Sequence, residues 1–297
     1  MLHFTTWFRS PALQMAGYEQ LARASCSLVA AQPAAAAPPG ALFLLASQHV
    51  THPHAFRRYF PTQDFLEVVA DQDLRYSVEV CQEGTGEVLA RHRLPAALPL
   101  LRHASRDCTL LALGAGGGSA LLQAVARRAG GQAQAQGQAQ AQAQAQAPPP
   151  LAPLQLAAAA PGGDGGGEAR EGAPLALAGH FLLGSGEAGA MLPRRLSGAV
   201  VQRSASQAFL RTSAVLEMGM CGGPVVGASG ALVGIVEGLV PLLREGEGEG
   251  GGGGGGGEGA ALSPLQRKSR QLLGGTAVMV EASDLRELLA AGAELLR

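Results

Sequence analysis

Short apolar stretches alternate with polar and glycine-rich breaks along most of this chain. In the first half they fall at 26–31, 41–47, 65–70, 75–81, 87–94 and 108–113; in the second at 175–178, 198–202, 208–212, 224–226, 231–236 and 276–280. They are short, rich in Val and Leu, and bounded by turn residues, which predicts β-strands. Glu83-Gly84-Thr85-Gly86 predicts a hairpin turn between two of them. The period changes at the end. Leucines at 285, 288, 289, 295 and 296 share one helical face, and Ser283 stands where a cap is needed. Six strands either side of a break, then a helix, predict an all-β protein of two β units.

Two stretches interrupt the pattern. Residues 130–173 hold Gln-Ala repeats, Pro148-Pro149-Pro150, an alanine run and many glycines. Residues 244–262 are mostly Gly and Glu. Neither has the apolar periodicity to build a core, and both are expected to be disordered. The expected organisation is an N-terminal segment 1–23, a first β-barrel 24–115, a linker 116–173, a second β-barrel 174–282 carrying the 244–262 insertion, and a helix 283–297. The N-terminal segment holds Arg9 and Arg23 against the single acid Glu19. That suits a mitochondrial or plastid transit peptide, and equally a helix packed on the barrel. Residues 54–64 are too aromatic for a linker and read as an ordered insertion beside His49, at the rim of a cleft.

Charge and cysteine content narrow the function. The net charge is −1, so there is no basic footprint for nucleic acid. No apolar run reaches the ~18 residues that span a bilayer. Of the four cysteines, Cys26, Cys81 and Cys108 lie in apolar runs and read as small buried residues. Cys221 stands apart in Gly219-Met220-Cys221-Gly222-Gly223-Pro224. A thiol in a glycine turn, with a histidine and an aspartate elsewhere in the chain, is the pattern of an intracellular nucleophile. His49 closes the apolar run 44–48, and Asp107 opens the run 108–113. His49, His52 and His54 have no Cys or carboxylate at ligand spacing, which argues against a metal. Leu113-Gly114-Ala115-Gly116-Gly117-Gly118-Ser119 looks like a dinucleotide turn, but Ser119 replaces its last glycine and no acid follows up to 163. It is read as the start of the linker, and no cofactor is expected.

The Gly219–Pro224 turn, with Val225-Val226 and Gly230-Ala231-Leu232-Val233-Gly234 behind it, resembles the G-x-S-G-G-P nucleophile segment of trypsin-like proteases of the chymotrypsin/HtrA superfamily, with cysteine in place of serine. Viral proteases of that fold carry G-x-C-G-G. Leu44-Leu45-Ala46-Ser47-Gln48-His49-Val50 resembles the segment around that superfamily's base. Asp107-Cys108-Thr109-Leu110-Leu111-Ala112-Leu113 resembles the strand opened by its aspartate. The order His, Asp, nucleophile is also the superfamily's. The resemblance covers residues 24–113 and 174–297 and implies a chymotrypsin-like double six-stranded β-barrel with a C-terminal helix. It implies an endopeptidase in which Cys221 attacks, His49 is the base, Asp107 orients His49, and the N–H groups of Gly219 and Cys221 hold the oxyanion. Val236, Glu237 and Gly238 would pair with a polypeptide substrate. Glu237 departs from the usual small residue, so it would favour basic side chains or partly close the cleft; Met220 departs from the aspartate of many secreted members. The superfamily also has catalytically inactive members, so a module that binds a peptide or protein partner stands as the alternative. The oligomeric state stays open.

Overall fold

β4 (Leu42–Ala46) and β8 (Thr109–Leu113) are buried along their whole length, and the reason sets the architecture. Successive side chains on a strand point to opposite faces. From these two strands Leu42, Leu44, Ala46, Leu111 and Leu113 enter one core, while Phe43, Leu45, Leu110 and Ala112 enter another. A sheet covered on both sides reads as a continuous apolar run. The computed structural model describes residues 1–31, 38, 40–114, 116–118, 120–123, 152–158, 169–183, 190–204, 207–216, 219–242 and 263–297.

The first half is two four-stranded antiparallel sheets. One has the order β2 (Glu19–Ser25), β1 (Leu2–Phe8), β5 (Leu74–Cys81), β6 (Val88–Arg93). The other has the order β3 (Ser27–Ala30), β4, β8, β7 (Leu100–Arg102). The chain crosses from one to the other at Cys26, and the sheets share a core that includes Phe4, Val78, Leu28, Leu44 and Leu111. These sheets stand where a first closed barrel was expected.

The second half is a closed six-stranded barrel. Its strands are β9 (Pro174–Leu183), β10 (Ala190–Arg203), β11 (Ala208–Thr212), β12 (Pro224–Val226), β13 (Leu232–Leu239) and β14 (Ala277–Glu281). Leu177, Val200, Leu210, Val225, Val236 and Met279 fill it. The terminal helix, Ala282–Glu294, buries Leu285, Leu288, Leu289 and Ala293 in the second core, with Phe43 and Leu45 of β4 and Ile235 and Val280 of the barrel. That core joins the halves.

Four expectations need correction. The N-terminal segment is not a packed helix: β1 and β2 occupy it, with only the 3₁₀ turn Pro11–Leu13 between them, and the 23/24 boundary falls inside β2. Almost every residue of β1 is buried, so no alternation betrays it. Residues 65–70 are not a strand. They carry a 3₁₀ turn, Asp64–Val68, and Leu66 and Val69, three apart, meet Phe8, Leu21 and Leu74 in a satellite core. The first half holds eight strands rather than six. The 116–173 linker is structured in part. Residues 120–123 are helical and Leu121 is fully buried. Leu154 bridges Val29, and Leu156 bridges Leu232. Linker residues 119, 124–151 and 159–168 and the 244–262 insertion lie outside the described residues.

Candidate active site

His49 lies on a single helical turn, Gln48–Thr51, at the end of β4. The turn is pinned from below: Thr6 Oγ1 donates to the Val50 carbonyl at 2.5 Å, Tyr76 Oη to the Thr51 carbonyl at 3.1 Å, and Thr51 Oγ1 meets Thr109 Oγ1 at 3.0 Å. Gln48 Nε2 reaches the loop before β8, where its two hydrogens are shared among the carbonyls of His103 at 2.6 Å, Arg106 at 2.7 Å and Cys108 at 3.1 Å. That loop carries Asp107. Asp107 Oδ1 accepts the His49 backbone N–H at 2.9 Å, and Oδ2 meets His49 Nδ1 at 2.5 Å. The carboxylate thus commits Nδ1 as a donor and turns Nε2 away from itself.

Cys221 comes from the other half. Gly219 and Gly222 on either side have φ of 104° and 82°, values that favour glycine. The Gly222 N–H donates to the Val236 carbonyl at 2.8 Å, and the Val236 N–H to the Gly223 carbonyl at 2.9 Å. Space demands glycine too: a Cβ on Gly222 would lie 2.4 Å from the Ser25 carbonyl oxygen. Among the described residues, the N–H groups of Gly219 and Cys221 have no acceptor. A side-chain hydrogen bond links Cys221 to the His49 ring, so His49, Asp107 and Cys221 come together at the junction of the two halves.

The ring of His49 is 12 % exposed. Burial by itself would pull its pKa down. The hydrogen bond to Asp107 and the neighbouring Cys221 outweigh it and push His49 up to about 10. The other thiols differ. Burial drives Cys26 and Cys108 far up and Cys81 to about 11, while Cys221 is the partly exposed one. The aromatic insertion does lie beside His49. Its 3₁₀ segment Pro53–Tyr59 stacks the half-exposed Tyr59 ring on the imidazole at 4.8 Å. Burial, then the Asp107 carboxylate, raise the Tyr59 pKa.

The three residues assigned to substrate divide. Val236 is fully buried and spends both backbone groups on Gly222 and Gly223, so it has none for a substrate. Glu237 spends its carboxylate on groups of the protein itself. The ladder to β14 slips between Val236 and Gly238, and such a bulge re-aims a side chain. The Glu237 carboxylate accepts the Asp107 backbone N–H at 3.0 Å and Gln207 Nε2 at 3.2 Å. Gly238 remains on an open edge, because β12 ends opposite Ile235 and no described strand pairs the outer side of β13 beyond it. Next to that edge a groove of about 390 Å³ is lined by Val215, Leu216, Leu239, Val240, Pro241 and Leu242.

Sequence reasoning missed Gln48, Ser25, Arg106 and the true task of Glu237. Arg106 Nε donates to Asp284 of the terminal helix at 2.8 Å, a second tether on the Asp107 loop. No local signal marks these residues, since each acts on a segment distant in sequence. His52 and His54 both turn Nε2 to the same Asp71 carboxylate oxygen, at 4.0 and 3.0 Å, and among the described residues they form no three-donor group with His49. Elsewhere, His3, Glu79 and Cys81 bring three buried donor types within 4.8 Å of one another. Arg91 at 2.5 Å and Arg23 at 3.7 Å already balance the Glu79 carboxylate. A divalent cation there would add charge beside two guanidinium groups, so the cluster reads as an ion-pair network. Comparisons with family models and with curated proteins found no match to this chain.

Proposed function

We propose that the chain is a cysteine-type endopeptidase with a trypsin-like arrangement, in which Cys221 is the nucleophile and His49 and Asp107 form its base pair. One observation carries this reading: Asp107 grips His49 at two atoms, and Cys221, from the other half of the molecule, acts on the same ring. A closed barrel facing a two-sheet unit, with the site between them, supports a chymotrypsin-like organisation whose first barrel is open. His49 holds the thiol proton, so that Cys221 and His49 sit as a thiolate–imidazolium pair, and the thiolate adds to the peptide carbonyl, whose π electrons move onto oxygen. The N–H groups of Gly219 and Cys221 receive that oxyanion. His49 then protonates the leaving amine, and water resolves the thioester. The outer edge of β13 at Gly238 pairs with the substrate as an added strand. The apolar groove favours an uncharged, apolar side chain there over a basic one.

The test is labelling with an electrophilic peptide, comparing wild type with Cys221→Ala and His49→Ala. Labelling that needs both residues is expected. Labelling indifferent to His49 would reduce Cys221 to an ordinary thiol.

One observation favours the alternative, a non-catalytic module that binds a peptide or protein partner: Tyr59 lies over the His49 ring. If Tyr59 closes the cleft, Tyr59→Ala speeds labelling by the bulky peptide and leaves labelling by iodoacetamide unchanged.

A further inference from the structure

We infer that Ser25 is a positioning residue for the nucleophile turn: it grips the Gly219 carbonyl and so fixes how the Gly219 and Cys221 N–H groups are presented. The inference rests on the peptidase reading above. Ser25 ends β2, in the half that carries His49 and Asp107. Its backbone N–H donates to the Gly219 carbonyl at 2.8 Å and its hydroxyl to the same oxygen at 2.7 Å. The side chain is 1 % exposed, so water does not substitute for it.

The hydroxyl is fully used. It accepts the His180 backbone N–H at 2.8 Å and faces His180 Nδ1 at 3.3 Å. A carbonyl only accepts, so the serine hydrogen belongs to Gly219. Nδ1 of His180 therefore brings its own hydrogen, and Ser25 Oγ holds one donated and two accepted bonds. That tautomer leaves His180 Nε2 as a bare lone pair; the atom is buried without a partner among the described residues. His180 in turn lies 4.9 Å from His3, which meets Glu79 Oε2 at 3.2 Å. On the far side of Cys221, Ser27 Oγ donates to the Gly222 carbonyl at 2.9 Å. Ser25 and Ser27, two apart across the sheet crossing, thus bracket the nucleophile.

The turn needs such a grip. Gly219 can adopt either sign of φ, and a peptide unit rotates as a rigid plate. The plate held by the two Ser25 donors runs from the Gly219 carbonyl to the Met220 N–H. It joins the two plates that carry the Gly219 and Cys221 N–H groups, so turning it would swing those groups relative to each other and strand a carbonyl and two donors. Truncating Ser25 removes one of the two bonds and loosens the oxyanion donors without touching the thiol.

The experiment uses the full chain as wild type, Ser25→Ala, Ser25→Thr and His49→Ala. Iodoacetamide reads the Cys221 thiol alone. A peptide aldehyde reads the oxyanion site, because the thiolate adds to its carbonyl and the oxygen that gains the electron pair must be held. Ser25→Ala is expected to weaken aldehyde binding about tenfold, the loss of one hydrogen bond, while its iodoacetamide rate stays near wild type. Ser25→Thr, which keeps the hydroxyl, restores aldehyde binding. Wild-type aldehyde affinity in Ser25→Ala overturns the inference and leaves the peptidase reading standing. So does a parallel loss of both readouts that threonine does not restore, since Ser25 would then only support the fold. If iodoacetamide modifies wild type and His49→Ala alike, the peptidase reading falls, and this inference with it.

Discussion

The backbone N–H of Asp107 is donated to the carboxylate of Glu237, 3.0 Å away across the junction of the two halves. The acid that orients His49 is therefore itself held by an acid from the barrel. Bonds to a charged acceptor contribute about 1.5–3 kcal/mol. Glu237→Ala should slow His49-dependent labelling of Cys221 by roughly tenfold or more. Glu237→Gln, which keeps an acceptor oxygen, should lose less. Equal rates in Glu237→Ala and wild type would show that the loop holds Asp107 without it.

His49 should titrate far above an ordinary histidine. Its pKa is raised to about 10, so the protonated ring contributes stability fully below ~6.5, and that contribution fades as pH climbs through about 10. Ring-proton NMR should show a midpoint that drops in Asp107→Asn and also in Cys221→Ala. A midpoint indifferent to Cys221 would remove the thiol from the neighbourhood of the ring.

Acid should unfold the protein earlier than its near-neutral charge suggests. Burial holds His180 down at about 3 and His52 at about 4. The hydrogen bond from His3, with Arg91, keeps Glu79 at about 2 against the effect of burial. The signs agree. Each unfolded histidine binds a proton below ~6.5 that its folded counterpart refuses, and unfolded Glu79 does the same from ~4.3 down. Stability should fall from pH 6.5 toward 4, by up to about 1.4 kcal/mol per pH unit for each buried histidine. Thermal unfolding against pH measures this, and His180→Gln should flatten the slope.

Two glycine substitutions separate strain from collision. Gly84, in the β5–β6 hairpin, has φ of 86° and nothing within 4 Å of an added Cβ. Gly84→Ala should cost about 1–2 kcal/mol, the left-handed strain alone. Gly222 has a similar φ, but its Cβ would press on the Ser25 carbonyl at 2.4 Å. Gly222→Ala should cost about 2 kcal/mol more. Chemical denaturation that finds the two equal would mean the Ser25 strand yields freely.

Much of the site was legible because its chemistry is local. A glycine turn around a thiol, a histidine closing an apolar run and an aspartate opening one are each contained in a few consecutive residues. Gln48 and Ser25 were illegible for the opposite reason: their partners, the 103–108 loop and Gly219, lie 55 or more positions away. Glu237 was visible, but its direction depends on a bulge against β14 that no pattern within β13 reveals.

By itself the sequence determined that the protein is mostly β, that a leucine-faced helix closes it, and that Cys221 sits in a turn only glycine can make. Periodicity and residue volume are enough for those. The tertiary structure alone decided that β1 and β2 fill the N-terminal segment, that the first half forms two facing sheets, and that segments of the supposed linker join the cores. Strands covered on both faces lose their alternation, and a sheet closes or stays open according to partners that no single segment encodes. The meeting of Asp107, His49 and Cys221 belongs to the same class, since it exists only where two separately patterned halves pack together.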